Sequence, residues 1–133
     1  MDLHIIKSKS VRAGKPTITF GAKGLITISS AAVNAIGIKD GQSVALAYDK
    51  KRDQDWYLII YKEEEPSSPN IRDIKKGKET ASFAFNCSSY TQSFMDRFGG
   101  GDGSVKVPLA TVGEPILEGK AMAYAVITKA LNN

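Results

Sequence analysis

The chain is poor in the residues that usually carry chemistry. Its 133 residues include one histidine, His4, and one cysteine, Cys87. A single cysteine closes no internal disulfide, so the sequence gives no sign of an oxidising compartment. A structural zinc site takes four Cys or His ligands, and the chain holds two. A Ser–His or Cys–His nucleophile would have to use His4, close to the chain start. Cys87 reads as a small hydrophobe beside a helix start. Long apolar runs are also missing, so a membrane-spanning helix is not expected. The segment Met1-Asp2-Leu3-His4-Ile5-Ile6-Lys7 lacks the layout of a signal peptide. These absences predict a soluble cytoplasmic protein that is not an enzyme and carries no metal or cofactor.

Two weaker motifs are set aside on the same grounds. Asp49, Asp53 and Asp55 lack calcium-loop spacing and have Lys50, Lys51 and Arg52 among them. Gly99-Gly100-Gly101-Asp102-Gly103-Ser104 has no Gly-Lys-Ser/Thr and follows a predicted helix, so it reads as a helix exit and not a phosphate loop.

What remains is ordinary in bulk and uneven in detail. Apolar residues make up 42% and charged residues 24%, values of a globular chain. A chain of this length buries roughly two-thirds of its unfolded surface and needs no staples. One domain, 1–133, is expected. The net charge is +4. All of it is accounted for by residues 1–23, where Lys7, Lys9, Arg12, Lys15 and Lys23 face Asp2 alone. A second basic knot, Lys50-Lys51-Arg52, lies between Asp49 and Asp53. Lys/Arg clusters of this kind suit phosphate contact with nucleic acid. They equally suit a solvated arm and loop tip that keep a protein soluble.

Periodicity places the elements. Thr17–Phe20 and Leu25–Ile28 alternate as strands around Gly21-Ala22-Lys23-Gly24. Ser29 or Ser30 caps a helix over 31–36 that stops at Gly37. Val44–Tyr48 and Trp56–Tyr61 form an antiparallel pair joined by the charged loop 49–55. On the second of these strands, Trp56, Leu58 and Ile60 share one face and Tyr57, Ile59 and Tyr61 the other. Residues 63–79 read as a linker, opening on Glu63-Glu64-Glu65-Pro66. Ser82–Phe85 is the next strand. Ser89 to Gln92 fits a capping box for a helix bearing Tyr90, Phe94, Met95 and Phe98. Val105–Val107 and Met122–Ile127 are expected to pair. The order strand, helix, strand, strand thus occurs twice, at 17–62 and 80–133. The predicted fold is α+β: two pseudo-repeats in a mostly antiparallel sheet or small barrel, with two short helices.

The stretch Leu25 to Leu46 resembles the AbrB/SpoVT swapped-hairpin family, through Ile36-Gly37-Ile38, Gly41 and Val44-x-Leu46. That resemblance covers about residues 17–62. It implies a regulator-like DNA-binding dimer with basic residues near the first strand on the phosphates. The tandem strand-rich halves are also loosely similar to Whirly-type single-strand binders, whose sheets offer aromatic and basic side chains to unpaired bases.

Together these readings predict a non-enzymatic DNA-binding homo-oligomer, on duplex or single strands. The predicted contacts are Lys7, Lys9, Arg12, Lys15, Lys23, Lys50, Lys51, Arg52, Tyr57 and Tyr61. The competing expectation is an oligomeric assembly protein of a phage or mobile element, with the two-faced apolar strands as subunit contacts.

Overall fold

The computed structural model describes residues 15–21, 23–52, 55–74, 82–98 and 104–128. The first elements among the described residues are the hairpin strands β1 (Thr17–Phe20) and β2 (Leu25–Ile28), in the register Ile18 to Ile28 and Phe20 to Ile26. Period-2 alternation puts all four of these apolar side chains in the core, fully buried. Thr17, Thr19 and Thr27 take the opposite face.

Helix α1 (Ser30–Ile36) follows directly. Ser29 is its cap: Oγ accepts from the Ala32 N–H at 3.3 Å and from the Thr17 N–H at 2.9 Å. Gly37, at φ 84°, ends the helix, and its N–H donates to the Val33 carbonyl. Strands β3 (Val44–Tyr48) and β4 (Trp56–Tyr61) then pair antiparallel. The remaining elements are β5 (Arg72–Asp73), β6 (Phe83–Asn86), α2 (Ser88–Phe98), β7 (Val105–Pro108), β8 (Glu114–Ile116) and β9 (Ala121–Val126).

The strands form two antiparallel sheets, ordered β5-β6-β2-β1-β7 and β3-β4-β9-β8. Both central pairs, β2 with β6 and β4 with β9, join strands far apart in the chain. The sheets meet at opposite edges through single residue pairs, Ser43 with Asn70 and Leu109 with Val126. Those joins are too short to merge the sheets, which do not close into a barrel. One apolar cluster fills the space between them, from Ile18, Phe20 and Phe85 to Leu46, Leu58 and Tyr124.

Two expectations are corrected in detail. Strand β7 does not pair with β9. It lies along β1, with Thr17 opposite Pro108 and Phe20 opposite Val105, and β9 sits between β4 and β8. The reason is in the side chains. Lys106 and Pro108 suit an edge, whereas β9 carries no charge on either face and suits a sheet interior. The capping box over 89–92 also differs. Helix α2 starts at Ser88, and the Gln92 side chain donates to Asp96 Oδ1 at 2.7 Å. Residues 63–74 connect the sheets and are tied down. Ile71 is fully buried, its N–H donates to the Gln42 carbonyl at 2.9 Å, and its carbonyl accepts from Gly41 at 2.7 Å. The Ser43 hydroxyl, also buried, donates to Asn70 Oδ1 and accepts from the Glu65 N–H.

One glycine fixes how α2 approaches β2. Gly24 has φ +92°, and a Cβ there would lie 3.0 Å from the Ser88 Cα. Its carbonyl accepts from the Cys87 N–H at 2.9 Å. Both the left-handed backbone and the backbone clash oppose a side chain. A Gly24→Ala variant is expected to lose about 1–3 kcal/mol, seen as a lower urea midpoint with an unchanged slope.

Candidate nucleic-acid interface

The two sheets present opposite chemistries on their outer faces. Strand registers define the first face. One row runs Arg72, Ala84, Thr27, Thr19, Lys106 across all five strands. At a strand spacing of ~4.8 Å the two cations stand ~19 Å apart. Thr17 and Asn86 extend the polar surface on either side of the row. Strands β1, β2, β6 and β7 contain no acidic residue. On β5, Asp73 takes the opposite face, across from Phe83. The Arg72 guanidinium lies 3.8 Å from the Asp40 carboxylate, with both side chains more than half exposed. A pair so open to water is weak and leaves Arg72 available to a stronger anion.

The outer face of the second sheet is apolar. Its rows read Ala45, Ile59, Ala123, Glu114 and then Ala47, Tyr57, Ala125. Tyr61, Ala121 and Ile116 make the third. Tyr57 and Tyr61 are half-buried here, between alanine-bearing strands. The only charge on these rows is Glu114; the nearest cations, Lys62 and Lys120, lie at the Tyr61 end.

The predicted contacts therefore separate into groups. Lys7, Lys9 and Arg12 lie outside the described residues, as do Asp53 and Gly99–Gly103. Lys15 and Lys23 are exposed at opposite ends of β1. Lys50, Lys51 and Arg52 are exposed on the β3–β4 tip. Asp49 organises that tip, its Oδ1 accepting from the Lys51 N–H at 2.8 Å. A continuous line of hydrogen-bonded neighbours, Pro16, Leu109, Val126, Trp56 and Tyr48, links Lys15 to the tip. Both thus stand at the same end of the second sheet. Tyr57 and Tyr61 join neither group.

Sequence reasoning missed Arg72, Lys106 and the threonine row. Lys106 inside an apolar strand was the available signal, because a lysine there marks an edge or a functional face. It also missed Tyr48, which is 53% exposed at the end of β3. The Tyr48 ring lies 5.2 Å from that of Trp56, tilted by 30°. Beside them runs a groove lined by Tyr48, Trp56, Ser93, Asp96 and Arg97.

Other chemistry is sparse. No group of three Cys, His, Asp or Glu side chains is placed to hold a metal among the described residues. No helix there is long and apolar enough to cross a membrane. Cys87 is half-buried at the start of α2, with Sγ 3.2 Å from Ser89 Oγ. Burial pushes the Tyr90 hydroxyl above the usual tyrosine range, with Cys87 and Tyr61 nearby adding to the rise and a backbone hydrogen bond at Leu46 opposing it. Burial alone raises Tyr124. No protein-family model, curated protein or solved structure matches the chain.

Proposed function

We propose that this is a non-enzymatic DNA-binding protein whose first sheet faces the phosphates. The observation that carries the reading is the row from Arg72 to Lys106, two cations flanking threonine hydroxyls in a row that itself carries no acid. Hydroxyls and cations are the side chains that most often meet phosphate oxygens. The basic run Lys7, Lys9, Arg12 leads into Lys15 at the start of β1, a strand of that sheet. Lys23 occupies the turn at the strand's other end. The tip cations Lys50, Lys51 and Arg52 extend the contact in this reading.

The strand orders support two units in one chain. Leaving β7 aside, each sheet reads as a palindrome, β5-β6-β2-β1 and β3-β4-β9-β8. Exchanging β1 with β5, β2 with β6, β3 with β8 and β4 with β9 preserves every neighbour. Such an arrangement is what a swapped dimer of strand-strand-helix-strand-strand units would make within a single chain. In this reading, which is AbrB-like, β8 and not β7 is the counterpart of β3.

Fluorescence anisotropy on a labelled duplex across a salt series tests the function. The logarithm of affinity should fall with log salt by ~0.9 per phosphate neutralised. Salt-independent binding, or none at low salt, would overturn the proposal. The apolar face of the second sheet favours a second reading, self-association into an assembly. Light scattering that finds a large particle indifferent to nucleic acid would establish it instead.

A further inference from the structure

We infer that the groove between the β3–β4 tip and α2 takes an unpaired nucleotide, with its base stacked on Tyr48. This rests on the DNA-binding reading and names the strand state that one part of the surface recognises. Three features converge there. Tyr48 offers an open ring face, and its orientation is held by buried Trp56. Trp56 is in turn fixed by Phe94, 5.3 Å away and edge-on, and by Phe98 at 6.1 Å. The stacking surface is therefore preorganised, and little order is lost on binding.

Charge complements the ring. Arg97 lines the groove, and Lys50, Lys51 and Arg52 are exposed on the tip that follows Tyr48 and Asp49, so the cation nearest a phosphate on the stacked nucleotide is Arg97. The wall from α2 supplies Ser93 and Asp96, which suit a base edge, and Arg97, which suits a phosphate. Ser93 brings a hydroxyl and Asp96 a carboxylate to the groove lining. A carboxylate repels phosphate but accepts from the amino and imino groups of an unpaired base. Gln92 donates to Asp96 Oδ1 and so steers the carboxylate. In a duplex those base edges are paired and the base faces are stacked, so a double strand cannot fill this groove. Tyr57 and Tyr61, the aromatics singled out by sequence, are half-buried and lack the exposure of Tyr48.

The chain's only tryptophan reports on the site, because Trp56 touches the groove and the Tyr48 ring. The full chain is titrated with a mixed-sequence single strand, an abasic strand of equal length and a duplex. The single strand should quench Trp56 emission, and the abasic strand and the duplex should not. Tyr48→Ala should weaken single-strand binding ~5- to 150-fold, as expected for one stacked base. Tyr48→Phe should keep the wild-type affinity, and duplex affinity should change less than twofold in both variants. Equal quenching by the abasic strand, or a Tyr48→Ala variant that binds the single strand like wild type, would overturn the inference while leaving the DNA-binding reading intact. Failure of the wild type to bind any of the three at low salt would overturn the DNA-binding reading and the groove with it.

Discussion

Truncating Phe94 to alanine is expected to cost about 3–5 kcal/mol and to lower the melting temperature by about 10–20 °C. Phe94 is fully buried and lies where the fold's layers meet. Its ring stacks on Phe20 of β1 at 3.9 Å and 11°, meets Trp56 of β4 edge-on, and touches Phe98 at 4.7 Å. The first contact binds α2 to the first sheet and the second binds it to the second sheet. Alanine at this position leaves a void between three other rings that are themselves packed and cannot collapse inward cheaply. Thermal unfolding followed by circular dichroism reads the loss. The surviving fold should also show shifted Trp56 emission, because the indole loses its edge-on neighbour. A Phe94→Leu variant should recover part of the stability by refilling the volume without the aromatic contacts. A drop of under 1 kcal/mol for Phe94→Ala would mean that α2 does not join the two sheets.

The second large effect is on binding. Reversing both cations of the first sheet, Arg72→Glu with Lys106→Glu, should weaken duplex binding about 100-fold or more. It should also reduce the salt slope by about 1.8, two phosphates at ~0.9 each. Both side chains are exposed, so stability should move by no more than ~0.5 kcal/mol. The neutral pair Arg72→Gln with Lys106→Gln should fall between wild type and reversal, which separates charge from shape. Unchanged affinity in the reversed variant would remove this face from the interface and return the function to the N-terminal arm and the tip. The two variants are independent readouts: Phe94 acts through the fold, whereas Arg72 and Lys106 act only through the surface.

Much of the local structure was legible in the residues. Thr17 to Ile28 alternates so cleanly that both strands and their buried face follow from pattern alone. Ser29 and Gly37 bracket α1 because one supplies an acceptor and the other a left-handed backbone. Both faces of β4 read as apolar, and β4 is an interior strand of its sheet. Partner choice was not legible. Val105–Val107 and Met122–Ile127 look like a hairpin pair by proximity, yet β7 and β9 lie in different sheets. Nothing within a four-residue strand records which distant edge it will meet. Strands β5 and β8 are too short, and β8 too proline-bound, to show a period. The basic arm was visible as a run of charge. The Arg72–Lys106 row was not, because it exists only once β5, β6, β2, β1 and β7 lie side by side. Tyr48 was overlooked for a related reason. Its apolar neighbours Val44 and Leu46 mark it as core, and only the end of the sheet exposes it.

The long-range central pairs have a consequence for how the molecule is made. While the ribosome is still adding residues beyond 62, β2 and β4 exist without β6 and β9. Each then offers an unpaired edge with hydrophobic side chains behind it, the form in which strands attach to the wrong chain. Neither sheet can be completed locally, so native closure must wait for the last strand to leave the exit tunnel. The nascent chain is thus open to misassociation until β6 and β9 have emerged, and the net positive charge of residues 1–23 is already in place to keep it apart from its neighbours by like-charge repulsion.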